Sequence, residues 1–178
     1  MGYGSEIEIL PISPESSHGP TAIPSKMLSL NNSHAAELSW LDPGRLSYLL
    51  RAATYARRIG DVDAFMLAFD QDAPYDSPNF RWFVVRYSRF LYIDRIVVSP
   101  NGRRLGYGRR LYEDLIRYGL ANGCERIVCE INLEPPNPTS EAFHAAFGFF
   151  EVGRGASYEK GKTVRYMARL IGARSPRD

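Results

Sequence analysis

Residues 103–108 (RRLGYG) bring together what a bound phosphate needs. They follow residues 91–100 (LYIDRIVVSP), which read as a buried strand stopped by a proline, and precede an amphipathic segment that reads as a helix. A helix start leaves backbone N–H groups without intrahelical acceptors, and the helix dipole favours negative charge there. Glycine at Gly106 and Gly108 lets an anion approach the main chain. Arg103, Arg104 and Arg109 add positive charge suited to a pyrophosphate. The spacing predicts a site for a phosphorylated cofactor.

Two common phosphate loops fit poorly. The kinase-type loop needs a lysine after its last glycine, and none follows here. The dinucleotide fingerprint needs Gly-x-Gly-x-x-Gly near the start of a βαβ unit, whereas Gly102, Gly106 and Gly108 run in another order past the middle of the chain. Glu130 stands near the acidic offset of that fingerprint, so spacing alone leaves a dinucleotide open. Each glycine also has a plain structural use. Gly106 and Gly108 would permit a tight turn, and Gly148 would close a helix. Those uses explain the pieces separately but not their joint order.

The pattern Arg103-x-x-Gly106-x-Gly108 after a Val-Val-Ser-Pro strand resembles the acetyl-CoA loop of the GNAT N-acetyltransferase superfamily. Residues 137–149 (NPTSEAFHAAFGF) resemble the second conserved segment of that family, Asn-x-x-Ala/Ser-x-x-Leu/Phe-Tyr/His-x-x-x-Gly-Phe. The two blocks cover residues 91–150, about a third of the chain. The resemblance implies an α/β fold: a mixed, mostly antiparallel sheet with a central parallel strand pair splayed around the cofactor, and helices on both faces. It implies acetyl-CoA (coenzyme A) as cofactor. Ile96, Val97 and Val98 would bond the pantetheine arm through their backbone. Arg103, Arg104, Leu105, Gly106, Tyr107, Gly108 and Arg109 would hold the pyrophosphate, and Asn137, Ser140 and His144 would meet the cofactor from the other side.

Acetyl transfer from a thioester to an amine makes three demands. The amine must lose a proton, the developing oxyanion needs donors, and the departing thiolate benefits from an acid. Glu130 and Asp94 are the candidate bases. Each sits in an apolar strand, where a carboxylate is costly unless paired or used. A structural reading pairs Asp94 with an arginine such as Arg95 and places Glu130 on an exposed strand edge. The resemblance favours Glu130, because it puts that strand beside the acceptor. The family usually carries a tyrosine where this chain has His144. Imidazole suits an acid or a sulfur-positioning group, which is the favoured reading, and it also suits a packed core position. Tyr158 and Tyr166 are more distant substitutes. Asp94, Glu130 and His144 are therefore the expected catalytic set. Tyr92 shares a strand face with Asp94. Asn31, Asn32, Tyr75, Asn79 and Tyr92 are the expected acceptor contacts, with His34, Glu37, Asp76, Ser77 and Trp82 nearby in sequence. Asn and Asp also abound in ordinary turns.

These side chains need elements to hold them. Alternation over residues 6–12 predicts a first strand. Residues 13–24 read as loop, and a helix is expected from Pro24 toward Ala36. Asp42-Pro43-Gly44 has the chemistry of a helix start. Residues 54–59 and 63–69 flank Gly60-Asp61 as a hairpin. Residues 70–79 read as loop, and 80–87 are ambiguous between helix and strand. A strand over 91–98, a helix over 104–122 and a strand over 126–132 form a crossover unit, so the two strands should be parallel. A short helix over 139–147 and strands over 149–153 and 163–171 complete the pattern.

Composition narrows the function. A chain of 178 residues suggests one domain, 1–178, with loose ends at 1–5 and 172–178. The net charge of +2 and the absence of a basic stripe argue against nucleic acid. Cys124 and Cys129 make neither a disulfide scaffold nor a zinc site, and no metal is expected. No apolar run reaches membrane-spanning length and no signal peptide begins the chain, so a cytoplasmic location and no membrane partner are expected. The expected activity is transfer of an acetyl group to a primary amine of a small molecule by direct attack in a ternary complex. A homodimer is one assembly open to the chain. Two alternatives remain: an acyl-CoA-binding sensor on the same fold, and an acetyltransferase acting on a protein or peptide.

Overall fold

The computed structural model describes residues 7–13, 22–34, 38–134, 136–156 and 163–172. Residues 1–5, most of the 13–24 loop, Glu37, Tyr158 and the tail beyond 172 lie outside that set. The elements are β1 (Ile9–Pro11), α1 (Ile23–Asn32), α2 (Pro43–Ala52), β2 (Tyr55–Ile59), β3 (Ala64–Asp70), α3 (Pro78–Val84), β4 (Phe90–Val98), α4 (Tyr107–Ala121), β5 (Arg126–Asn132), α5 (Pro138–Ala146), β6 (Phe150–Ala156) and β7 (Thr163–Leu170). The strands are hydrogen-bonded in the order β1-β2-β3-β4-β5-β7-β6. Pairs β1–β2, β2–β3, β5–β7 and β6–β7 are antiparallel, and β4–β5 is parallel. This is the mixed sheet expected, with the parallel pair where the crossover unit puts it.

The parallel pairing is short. Its register runs Phe90↔Arg126, Leu91↔Ile127 and Tyr92↔Val128, and then stops. Strand β4 continues to Val98 and β5 to Asn132.

Local chemistry accounts for most boundaries. Asp42 caps α2 by accepting from the Arg45 N–H at 2.8 Å, with Pro43 at the first helical position. Ser77 and Pro78 start α3 in the same way, which resolves the ambiguity over 80–87 in favour of helix. Strand β1 has three residues where seven were expected, because its ladder with β2 spans only Ile9↔Ile59 to Pro11↔Arg57. Helix α4 begins at Tyr107, three residues later than expected. Arg104 and Gly106 adopt φ values of 65° and 78°, and such left-handed residues cannot belong to a right-handed helix.

By internal contact the chain resolves into two compact units. One is Met1–Ala68 with Arg95–Asp114, and the other is Phe69–Asp94 with Leu115–Asp178. The core of the first is largely aliphatic, built from Met27, Leu46, Leu49, Ile59, Leu67 and Leu111, all 2 % exposed or less, with Phe65 and Tyr112 buried as well. Tyr55 is buried among them and satisfies its hydroxyl on Asp114 Oδ2 at 2.8 Å. The core of the second is aromatic. Phe69, Phe80, Phe83, Phe90 and Tyr92 are buried, and their rings meet in tilted and edge-to-face pairs at 5.5–6.4 Å.

Candidate active site

The first unit carries the expected cofactor loop. Along β4, Val97 is buried while Ile96 and Val98 are half-exposed, as strand alternation dictates. Ser99 turns the chain, its Oγ accepting from the Gly102 N–H at 3.1 Å. The loop then passes through the left-handed Arg104 and Gly106 into α4. In this turn the N–H groups of Arg104, Gly106, Tyr107, Gly108 and Arg109 have no backbone acceptor among the described residues. A Cβ placed on Gly106 would meet nothing within 4 Å, so space is open on that side. Arg103 donates from Nη2 to His34 Nε2 at 3.3 Å, and Arg109 donates from Nε to Glu113 at 2.8 Å. The Arg104 side chain is exposed. Five unpaired N–H groups beside open space and a cluster of cations fit a pyrophosphate.

The second unit carries the carboxylates. Glu130 projects from β5, where it is the register partner of Tyr166 on β7. Its Oε1 accepts from the Tyr92 hydroxyl at 2.9 Å and from Asn79 Nδ2 at 3.1 Å. Its Oε2 is shut off from bulk solvent and has no hydrogen-bond partner among the described residues. Burial is the main reason that the Glu130 pKa rises to about 7, and the nearby charge of Asp94 adds to it. The two donors on Oε1 act in the opposite direction and are outweighed. Tyr92 is fully buried, and burial beside Glu130 holds its pKa well above the ordinary phenol value, so it remains a donor. Asp94 accepts from the Tyr75 hydroxyl, and the Tyr75 ring stacks on Phe69 at 4.3 Å.

Asp94 and Arg95 are consecutive in β4. Neighbours in a strand point to opposite faces. Arg95 is buried and donates to Asn31 Oδ1 at 2.8 Å. Asn31 is fully buried and also donates to the Ser39 carbonyl at 3.1 Å. Asn32 donates to the Leu41 carbonyl and accepts from the Leu41 N–H, both at 2.9 Å. The amides of Asn31 and Asn32 are thus engaged by the chain itself, fastening α1 to the segment that leads into α2. Both lie in the first unit.

His144 is 6 % exposed. Its Nδ1 lies 2.7 Å from the Ser140 carbonyl, so Nδ1 carries the proton of the neutral ring and Nε2 is the acceptor nitrogen. Phe143 and Phe149 meet the ring edge-to-face at 5.9 and 5.1 Å. Burial lowers its pKa. Asn137 caps α5, its Oδ1 accepting from the Ser140 N–H at 3.0 Å.

Sequence reasoning underrated one column of residues. Tyr166 donates from its hydroxyl to Asn79 Oδ1 at 3.1 Å, and its ring stacks on Trp82 at 4.2 Å. The Arg86 guanidinium covers the other layer, 3.9 Å from the Trp82 ring. Gly153 makes room for this column: a Cβ there would lie 2.6 Å from the Trp82 ring. The available sequence signal was the Gly153-x-Gly155 pair in a strand, which marks close approach by another group.

A family model described as Acetyltransferase (GNAT) family matches residues 37–149. No curated protein matches the chain. Among solved structures, a chain of the NatC complex bound to Gag peptide and CoA is 15 % identical, with 94 % of this chain and 99 % of that one covered and a TM-score of 0.71. The yncA structure from Salmonella typhimurium, with its cofactor acetyl-CoA, is 17 % identical over 98 % and 99 % at a TM-score of 0.67. The ribosomal-protein-S18-alanine N-acetyltransferase from Escherichia coli is 17 % identical over 97 % and 99 % at 0.63. At these identities the likeness is one of fold. Among the described residues no helix is long and apolar enough to cross a membrane, and no His, Cys, Asp and Glu group could hold a metal ion.

Proposed function

We propose, starting from the fact that this chain belongs to the GNAT acetyltransferase family and is an acetyl-CoA-dependent acyltransferase, that it acetylates a primary amine of a small molecule by direct attack, with Glu130 as general base. The observation that carries this reading is the state of Glu130. A carboxylate with a pKa of about 7 is half-ionised at neutral pH, and one of its oxygens has no hydrogen-bond partner among the described residues.

Magnitude supports the choice. An alkylammonium ion has a pKa of about 10, so moving its proton to an ordinary carboxylate is steeply uphill. Raising the acceptor from 4.5 to about 7 lowers that cost by about 3 kcal/mol. Oε1 is held by Tyr92 and Asn79, so the proton goes to Oε2, directly or through a water. Asp94 and Tyr75 offer negative charge and a polar edge to the incoming cation. Acetyl-CoA supplies an acetyl group activated as a thioester. The N–H groups of the 104–109 turn and the arginines around it bind its pyrophosphate, and Ile96, Val97 and Val98 offer backbone groups to its arm. His144 positions the sulfur end. A single acetyltransferase domain over 1–178 and a cytoplasmic location belong to this proposal.

A peptide acceptor is the second reading. The NatC chain, solved with a Gag peptide, and the S18-alanine N-acetyltransferase share the fold. Release of coenzyme A thiol is measured over a panel of small primary amines and of peptides with free N-termini. Turnover on small amines and none on peptides is the expected result. Turnover confined to peptides would replace the small-molecule reading, and tight acetyl-CoA binding without any turnover would favour a sensor.

A further inference from the structure

The base needs more than a raised pKa, because its two oxygens must hold different roles. We infer that Asn79, itself oriented by Tyr166, is a positioning residue that fixes Glu130 Oε1 and so reserves Oε2 for the acceptor's proton. This inference rests on the reading of Glu130 as base.

A primary amide can present either its oxygen or its NH2 to a neighbour. In α3, Asn79 faces two groups at once. The Tyr166 hydroxyl donates to Oδ1 at 3.1 Å, and Nδ2 donates to Glu130 Oε1 at 3.1 Å. The order is enforced from both sides. The Tyr166 phenol has its pKa raised by burial and by the Glu130 charge, so it remains a donor, and a donor holds the amide oxygen toward itself. The Glu130 carboxylate, an acceptor only, selects the same orientation, so the hydroxyl reinforces it. A flipped amide would set oxygen against carboxylate oxygen.

Tyr166 is fixed in turn by the Trp82 stack and the Arg86 guanidinium, in space left by Gly153 and Gly155. The titratable groups facing Glu130 are Tyr92 and Asp94 from β4 and Tyr166 from β7, with Cys129 beside it on β5. Tyr92 and Cys129 are held neutral by burial, so Asp94 is the only one of these that contributes a like charge. The donors on Oε1 pull the Glu130 pKa down against burial. Losing Asn79 must therefore push it up.

The test is a titration of Glu130 by carbon NMR of glutamate-labelled protein, alongside kcat against pH, in the wild type, N79A, Y166F and E130Q. N79A is expected to raise the Glu130 titration and the acid limb of kcat together by about one pH unit. Activity at pH 7 then falls about fivefold while the KM for acetyl-CoA holds. Y166F is expected to move both in the same direction by less, and it keeps the ring stack, so it answers the question if N79A fails to fold. An unmoved Glu130 titration in both variants would overturn the positioning role. If E130Q keeps wild-type kcat, the base reading falls first, and the NMR titration still reports whether Asn79 governs Glu130.

Discussion

At the scale of single residues, the site depends on unequal treatment of similar groups. Of the carboxylates among the described residues, only Glu130 has an oxygen that is both buried and without a hydrogen-bond partner. His144 is treated differently again. Its Nδ1 is committed to the Ser140 carbonyl, and burial lowers its pKa, so the proton-donating imidazolium is scarce at neutral pH. These observations favour a packed histidine over an acid. H144F, which can pack between Phe143 and Phe149, is expected to lower kcat by less than about tenfold. Loss of a true general acid costs about a hundredfold or more, and a steady-state assay at pH 7 separates the two. Gly106 and the arginines could be read from sequence because their chemistry is local: a turn, a helix start and neighbouring charges. The pairing of Glu130 with Tyr92 and Asn79 could not, since these residues stand 38 and 51 positions away and meet only through sheet register and the placement of α3.

At the scale of elements, the turn between β4 and α4 matters most. Asp42 announced its helix through capping chemistry, and α2 starts where that cap stands; Ser77 caps α3 in the same way, in a stretch read from the sequence as loop. The start of α4 was set too early because Arg104 takes a left-handed φ that an arginine sequence does not announce. That conformation costs about 1 kcal/mol or more, and here it turns N–H groups outward rather than into a helix ladder. Gly106 shares the geometry, and its missing Cβ faces open space. G106E is expected to fold with a small loss of stability and to abolish acetyl-CoA binding by calorimetry, through bulk and charge at the pyrophosphate site. Unchanged affinity in folded G106E would remove the cofactor assignment from this loop. The Trp82–Tyr166–Arg86 column shows the opposite limit of sequence reading. The Gly153-x-Gly155 pair signalled that something approaches β6, and only the structure identifies it as Trp82 and Tyr166.

At the scale of the whole molecule, a buried carboxylate links function to stability. Glu130 titrates at about 7 in the folded chain and near 4.5 when unfolded. Between those values the folded state holds more protons than the unfolded state, so stability from this group is full below about 4.5 and is lost as pH rises through 7. The cost at alkaline pH is about 3 kcal/mol. E130Q is expected to flatten this part of the stability profile and to melt higher than the wild type at pH 8, as thermal denaturation in matched buffers will record. A buried carboxylate kept at some expense to the fold is a mark of a functional site. The most direct measurement is kcat for coenzyme A thiol release against pH, for wild type and E130Q, on the best amine of the panel. The expected result is a wild-type acid limb near pH 7 and a loss of about a hundredfold or more in E130Q on the alkaline plateau. Equal kcat in the two proteins across that range would contradict the assignment of Glu130 as the base.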